Sequence, residues 1–145
     1  MNILIVGCGQ IGIHFAELLS GENKVTIIDQ KRGALNLIQA SRIESGSITT
    51  ILGDATLTDT LIEAKINEMG LVLVLTGSST VNGLIALKSK LILRVEKVVA
   101  LFNNDIYSKI YESFNITCFT NNITEDAISN VFSQTEILLP KGNKG

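Results

Sequence analysis

Three glycines and one carboxylate carry the most specific chemistry in this 145-residue chain. Gly7, Gly9 and Gly12 stand in "IVGCGQIG", residues 5 to 12, between an apolar run and a stretch of helical period. Glycine loses the most backbone entropy on folding, so such a cluster needs a physical reason. The G-x-G-x-x-G spacing at a strand-to-helix junction suits a bound diphosphate. Gly7 permits the tight turn, Gly9 lets backbone approach the phosphates, and Gly12 allows the helix to pack closely on the strand. The amides of Cys8, Gly9, Gln10 and Ile11 would face the anion, with the positive end of the helix dipole behind them. Asp29 closes the second apolar run, 22 residues after Gly7, with Gln30 next to it. A carboxylate there accepts hydrogen bonds from ribose hydroxyls and repels a 2′-phosphate. Spacing, strand placement and acid together favour a nucleotide over a tight connection that merely ends in a capping Asp29.

Two further stretches fall where a ligand of such a site would lie. "GDAT", Gly53 to Thr56, follows the third apolar run and would set Asp54 and Ala55 beside an adenine; an Asx turn leading into a helix is the equal alternative. "TGSST", Thr76 to Thr80, leaves the fourth run. Thr76, Gly77 and Ser78 could line a phosphate or ribose there, or Ser78 or Ser79 could cap the next helix.

No catalytic constellation accompanies them. His14, the one histidine, lies within the first helical stretch off its apolar stripe, and an exposed side chain is expected rather than a general base. Cys8 has no basic neighbour in sequence and is expected to pack. HExxH, CxxC, GxSxG and Walker lysine patterns are missing from the sequence. No catalytic and no metal-ligating residue is assigned.

The elements that must position these residues follow from apolar patterning. Strands are expected at Asn2–Val6, Lys24–Asp29, Ile48–Leu52, Leu71–Thr76, Lys97–Phe102 and Ile116–Phe119, most of them Val/Ile/Leu runs without polar alternation, as in strands buried on both faces. The first helix carries Ile11, Phe15, Leu18 and Leu19 on one stripe. Others are expected at Ala34–Ser41, at Asp59–Ile66 behind Thr56 and Thr58 as caps, at Val81–Leu93, at Ile106–Phe114 and at Ile123–Ser133, the last with Asn122 and Glu125 in a capping-box arrangement. Sixfold strand–helix alternation predicts an α/β fold: a doubly wound, parallel, six-stranded Rossmann sheet in a single domain over residues 1–133. Residues 134–145, with the one proline (Pro140), are expected to form a tail or linker.

Composition narrows the class. Hydrophobic residues make up 46% and charged residues 18%, which is neither a disordered chain nor a supercharged one. A net charge of −2 with scattered Lys and Arg argues against nucleic-acid binding. Cys8 and Cys118 fit no metal spacing and are expected to be reduced. The N-terminus lacks the pattern of a secretory leader, and no stretch reaches the ~18 apolar residues of a membrane span, so a cytoplasmic protein is expected. Dehydrogenases of this fold need further chain to hold a substrate, and six strands consume nearly all of this one, which favours a sensor over an enzyme.

Taken in order, "NILIVGCGQIG", "VTIIDQ", "GDAT", "VLVLTGSSTVN" (72–82) and "VVALFNNDIYSKIYESFNIT" (98–117) resemble the nucleotide-binding domain of Trk-type potassium-uptake regulators, the TrkA N-terminal, KTN or RCK domains. The resemblance covers about residues 1 to 133. It implies a cytosolic regulatory domain that binds NAD, NADH, ATP or ADP and gates a membrane potassium transporter or channel. It also implies a homo-oligomer, a dimer or larger ring, held at the inner face of the membrane only through its transporter partner. Tyr107, Ile110, Tyr111 and Phe114 then offer either a shared surface or ordinary core. Members that bind a triphosphate often carry arginine where Gln10 and Leu101 stand, and acidic residues where Gly77, Ser79 and Thr80 stand. Without those groups the resemblance implies NAD or NADH first, ADP or AMP next, and ATP last. Two other readings compete: the cofactor-binding domain of an NAD-dependent oxidoreductase truncated from a longer chain, and a structural domain with a vestigial site.

Overall fold

The Val/Ile/Leu runs form six strands, and each is parallel to its neighbours because a helical crossover separates every pair. A computed structural model describes residues 1–121 and 123–132. The strands are β1 (Asn2–Val6), β2 (Lys24–Asp29), β3 (Ile48–Leu52), β4 (Leu71–Val74), β5 (Val98–Phe102) and β6 (Thr117–Thr120). Their order across the sheet is β3-β2-β1-β4-β5-β6. The winding therefore reverses between β1 and β4, where the chain leaves the two strands in opposite directions.

The helices are α1 (Gln10–Leu19), α2 (Arg32–Leu35), α3 (Ala40–Glu44), α4 (Thr58–Glu63), α5 (Ser79–Leu87), α6 (Asp105–Glu112) and α7 (Glu125–Phe132). Alternation along β1 sends Ile3 and Ile5 to one face and Leu4 and Val6 to the other. Ile3 and Ile5 share a core with Phe15, Ala16 and Leu19 of α1 and Ile128 of α7. Leu4 and Val6 pack with Leu61 of α4 and with Ile85 and Ala86 of α5. Both faces are thus covered, which is why β1 and β4 carry no polar alternation.

Register brings the site-bearing ends together. Val6 lies opposite Ile28 on one side and Val74 on the other, and Asp29 lies opposite Leu52. The ladder continues past the strands through Gly7 N–H to Ile28 O at 2.9 Å, Gly53 N–H to Asp29 O at 3.0 Å, and Leu75 N–H to Val6 O at 2.8 Å.

Several local expectations are corrected. The helix expected over Ala34–Ser41 is two short pieces, α2 and α3. Gly33, Asn36 and Ser41 are weak helix formers, and the chain turns at Gln39 (ψ 124°) while burying both Leu35 and Ile38. Thr56 and Thr58 do not cap α4: Leu57 holds the cap position without a side-chain bond, because Thr56 is taken up by Asp54. Helix α4 also ends early, where Lys65 turns left-handed (φ 58°) into a short 3₁₀ turn, Ile66–Glu68. Helix α5 starts at Ser79, earlier than expected, and widens into a π-helical turn over Lys88–Ile92. Thr124 accepts Ala127 N–H at 3.1 Å in the position of a cap for α7. The expected capping residue Asn122, the expected last helical residue Ser133 and the expected tail 134–145 lie outside the described residues. Among the described residues no helix is long and apolar enough to cross a membrane.

Candidate functional site

The loops that leave β1, β2, β3 and β4 enclose a cleft of about 420 Å³ at the carboxyl edge of the sheet. Of the residues singled out from sequence, Gly7, Asp29, Gln30, Asp54, Ala55, Thr76, Gly77 and Ser78 line it. Cys8, Gly9, Gln10, Ile11 and Gly12 stand outside that lining. Cys8 is buried and donates its thiol to Ala34 O at 3.3 Å, which turns it toward α2. Gln10 is exposed, Ile11 half-buried and Gly12 buried at the start of α1.

The three glycines separate into distinct physical roles. Gly7 has φ +105°, and a Cβ there would meet Leu75 C and O and Thr76 N at 2.9 Å. Both conformation and the close pass of the chain leaving β4 require glycine. At Gly12 a Cβ would stand 1.8 Å from Gly7 O, so α1 packs directly against the turn. Gly9, which caps α1, has open space around it. A side chain there would meet no neighbouring atom, so packing does not account for glycine at this cap position.

Asp29 joins the second strand to the glycine turn. Its Oδ2 accepts Cys8 N–H at 2.7 Å, and its Oδ1 accepts Lys31 N–H at 2.8 Å. Each carboxylate oxygen keeps lone-pair capacity for a further donor, and the group lines the cleft. The same carboxylate acts on Cys8: burial first, then the Asp29 charge, raises the thiol to about 11. Burial also pushes Cys118 up to about 12, with Glu112 adding to it.

On the GDAT loop the Asx turn is present, and the same residues line the cleft. Asp54 Oδ1 accepts Thr56 N–H at 2.9 Å and Thr56 Oγ at 2.7 Å, an Asx turn, while Asp54 and Ala55 line the cleft. Those two bonds, hydroxyl first, hold the Asp54 carboxyl below its ordinary range, and Lys88 adds to the effect. Lys88 Nζ donates to Thr56 O at 2.5 Å and so ties this loop to the end of α5.

On the opposite wall Ser78 caps α5 by accepting Val81 N–H at 3.3 Å. The Thr76 hydroxyl donates to Asn82 Oδ1 and accepts Ser78 N–H at 3.3 Å. The hydroxyl is thus engaged within the protein while Thr76 lines the cleft. Ser79 turns away from the cleft and accepts Asn103 N–H at 2.8 Å.

Sequence reasoning missed Val6, Ile28, Lys31, Gly53, Thr56, Val81 and Ile85 as lining residues. Val81 and Ile85 stand at i and i+4 on α5, on a face that serves core and cleft alike. Lys31 follows Asp29 by two residues and donates its amide to that carboxylate.

His14 is exposed and meets Glu125 at 2.9 Å, bridging α1 and α7 outside the cleft lining. On α6 the aromatic set divides. Tyr111 stacks on Phe102 with centroids 4.8 Å apart and lies over Gly83, where a Cβ would be 2.2 Å from its hydroxyl. Tyr107, Ile110 and Phe114 remain exposed together with Ile106, which is 74% exposed.

Known proteins share this fold. The family model described as the TrkA-N domain matches residues 3–121. An uncharacterized protein of Methanocaldococcus jannaschii is 28% identical over 94% of this chain and 27% of its own length. A Trk system potassium uptake protein, trkA homolog 1 of Methanosarcina mazei, is 28% identical over 79% of this chain and 28% of its own length. The chain thus spans about a quarter of the length of the curated relatives it matches. Among solved structures, the TrkA-N domain of the inner membrane protein ybaL from Escherichia coli superposes with a TM-score of 0.71 at 16% identity, over 92% of this chain and 94% of that one. The Kef C-terminal domain of Shewanella denitrificans in AMP-bound form gives 0.68 at 19% identity, over 94% and 80%. The GsuK channel bound to NAD gives 0.61 at 13% identity, over 81% and 21%.

Proposed function

This chain belongs to the TrkA-N domain family, and on that premise we propose that it is a cytoplasmic, non-catalytic regulatory domain that senses an adenine nucleotide and adjusts potassium transport. The observation that carries the proposal is the cleft itself. Gly7 and the Asp29 carboxylate, which is bonded to the glycine turn, line one side of it, and the GDAT loop lines another. A diphosphate would lie over the amides of Gly9, Gln10, Ile11 and Gly12 at the start of α1, beside Cys8, whose own amide is held by Asp29, and with Gly9 leaving room for it. The adenosine ribose would take the remaining lone pairs of Asp29, beside Gln30, and the adenine would rest against Asp54 and Ala55. Thr76, Gly77 and Ser78 would close the phosphate side.

NAD or NADH is the favoured ligand, followed by AMP or ADP. Asp29 opposes a 2′-phosphate, and Gln10 and Leu101 supply no cation for a γ-phosphate. A NAD-bound channel and an AMP-bound domain among the similar structures support this choice. Matches to potassium-uptake proteins support the regulatory reading over that of an oxidoreductase fragment. The partner would be a membrane potassium transporter or channel subunit. Ile106, Tyr107, Ile110 and Phe114 would form the surface through which copies of the chain associate.

Thermal unfolding with NAD, NADH, NADP, AMP, ADP and ATP tests the proposal. A ligand present at 100 times its dissociation constant adds about 2.7 kcal/mol of stability, which raises the midpoint of a domain this size by several degrees. NAD, NADH or AMP should do so and NADP should not; a panel with no shift would refute the reading.

A further inference from the structure

Asn82 is almost wholly buried, 1% exposed, and every hydrogen-bonding position of its amide is used. Its Oδ1 accepts Thr76 N–H at 3.1 Å and also the Thr76 hydroxyl. Its Nδ2 donates to Thr76 O at 2.9 Å and to Leu101 O at 2.8 Å. An amide side chain offers two donors and two acceptor sites, so this one has no spare capacity. Thr76 is a wall of the cleft, whereas Leu101 belongs to β5, which the cleft does not touch. The two positions therefore share one buried side chain. If Thr76 shifted without Leu101, a buried donor would be left unpaired, the costly way to break a hydrogen bond.

The connection runs on from β5. Ser79, at the start of α5, accepts Asn103 N–H at 2.8 Å just after that strand. Asn104 then caps α6 by accepting Ile106 N–H at 3.0 Å. Ile106 and Tyr107, in the first turn of α6, are exposed apolar residues. Four residues along α5 thus gather both the cleft wall and the β5–α6 junction.

We infer that Asn82 is a positioning residue that locks the cleft wall at Thr76 to the β5–α6 junction, so that a nucleotide in the cleft alters the order of the first turn of α6. The inference rests on the nucleotide reading above. It assigns the route by which occupancy reaches the exposed apolar face.

Amide hydrogen exchange on the full chain, with saturating NAD and separately AMP as probes, tests it. In the parent protein, either nucleotide should slow exchange at Gly7–Gly9 and Thr76–Ser78, and also at Asn103–Ser108, by about fivefold or more. In Asn82→Ala the slowing at the cleft loops should persist and that at Asn103–Ser108 should vanish. Ser79→Ala, a milder change that removes only the bond from Asn103, should reduce it partly. A residue that only stabilised the fold would raise exchange with and without nucleotide alike and leave the ratio unchanged; that outcome overturns the inference. Slowing in the parent confined to the cleft loops overturns it as well, whether or not Asn82→Ala folds. No slowing at the cleft loops would bring down the nucleotide reading, and this inference with it.

Discussion

The Asp29 carboxylate accepts the Cys8 amide at 2.7 Å, so the end of β2 is hydrogen-bonded to the turn that follows β1. Its other oxygen holds the Lys31 amide at 2.8 Å. The residue proposed to grip a ribose is therefore also the residue that shapes the glycine turn.

Asp29→Ala should cost stability and remove the ligand response together. The Cys8 amide loses its partner in a partly buried position, a loss of about 1–3 kcal/mol. Urea unfolding with and without NAD measures both effects. Asp29→Asn keeps an acceptor oxygen, so it should recover part of the stability. A variant that still gained the parent's stabilisation from NAD would contradict the role given to this carboxylate.

The glycines should respond differently to alanine. Gly7→Ala forces a Cβ into a left-handed backbone and against Leu75 at 2.9 Å, and Gly12→Ala drives one into Gly7 O. Both should unfold at markedly lower urea. Gly9→Ala meets nothing and should stay within about 1 kcal/mol of the parent. Its affinity for NAD should nevertheless fall, since the added methyl lies where the phosphates approach. Calorimetric titration of Gly9→Ala decides whether that glycine serves a ligand.

How much of this was legible in advance depended on range. The β1 turn and Asp29 could be read because glycine spacing and a strand-ending acid are local signals, and the parallel six-stranded sheet followed from uninterrupted apolar runs alternating with helices. The break between α2 and α3 could not, since it is set by the joint burial of Leu35 and Ile38 against the sheet. Val81 and Ile85 gave no sequence signal of a cleft because one face of α5 serves both core and cleft. The occupied hydroxyl of Thr76 depended on Asn82, six residues away, a pairing that only the fold reveals.

Alkaline pH should destabilise the protein through its thiols. Cys8 titrates at about 11 and Cys118 at about 12 in the fold, against 9.0 for an unperturbed thiol. The native state holds these protons more tightly, so their contribution is complete below about pH 9 and is lost as pH rises through 11 to 12. Urea midpoints measured from pH 8 to 11.5 should fall less steeply for the double variant Cys8→Ala, Cys118→Ala than for the parent. Equal slopes would contradict the burial argument. At neutral pH both thiols should alkylate slowly.

The exposed face of α6 should govern self-association without governing the fold. Ile106 and Ile110 are 74% and 55% exposed, so Ile106→Arg and Ile110→Glu should change unfolding free energy by no more than about 0.5 kcal/mol. Sedimentation over a range of concentrations should show the parent associating and the double variant monomeric. Association undiminished in the variant would place the contact elsewhere.

The most direct test is a crystal structure of the chain grown with saturating NADH. The account predicts the adenosine ribose hydrogen-bonded to Asp29, the diphosphate over the amides that open α1 beside Gly9, and the adenine against Asp54 and Ala55. A dinucleotide seated elsewhere, or a cleft still vacant at concentrations that saturate related domains, would contradict it.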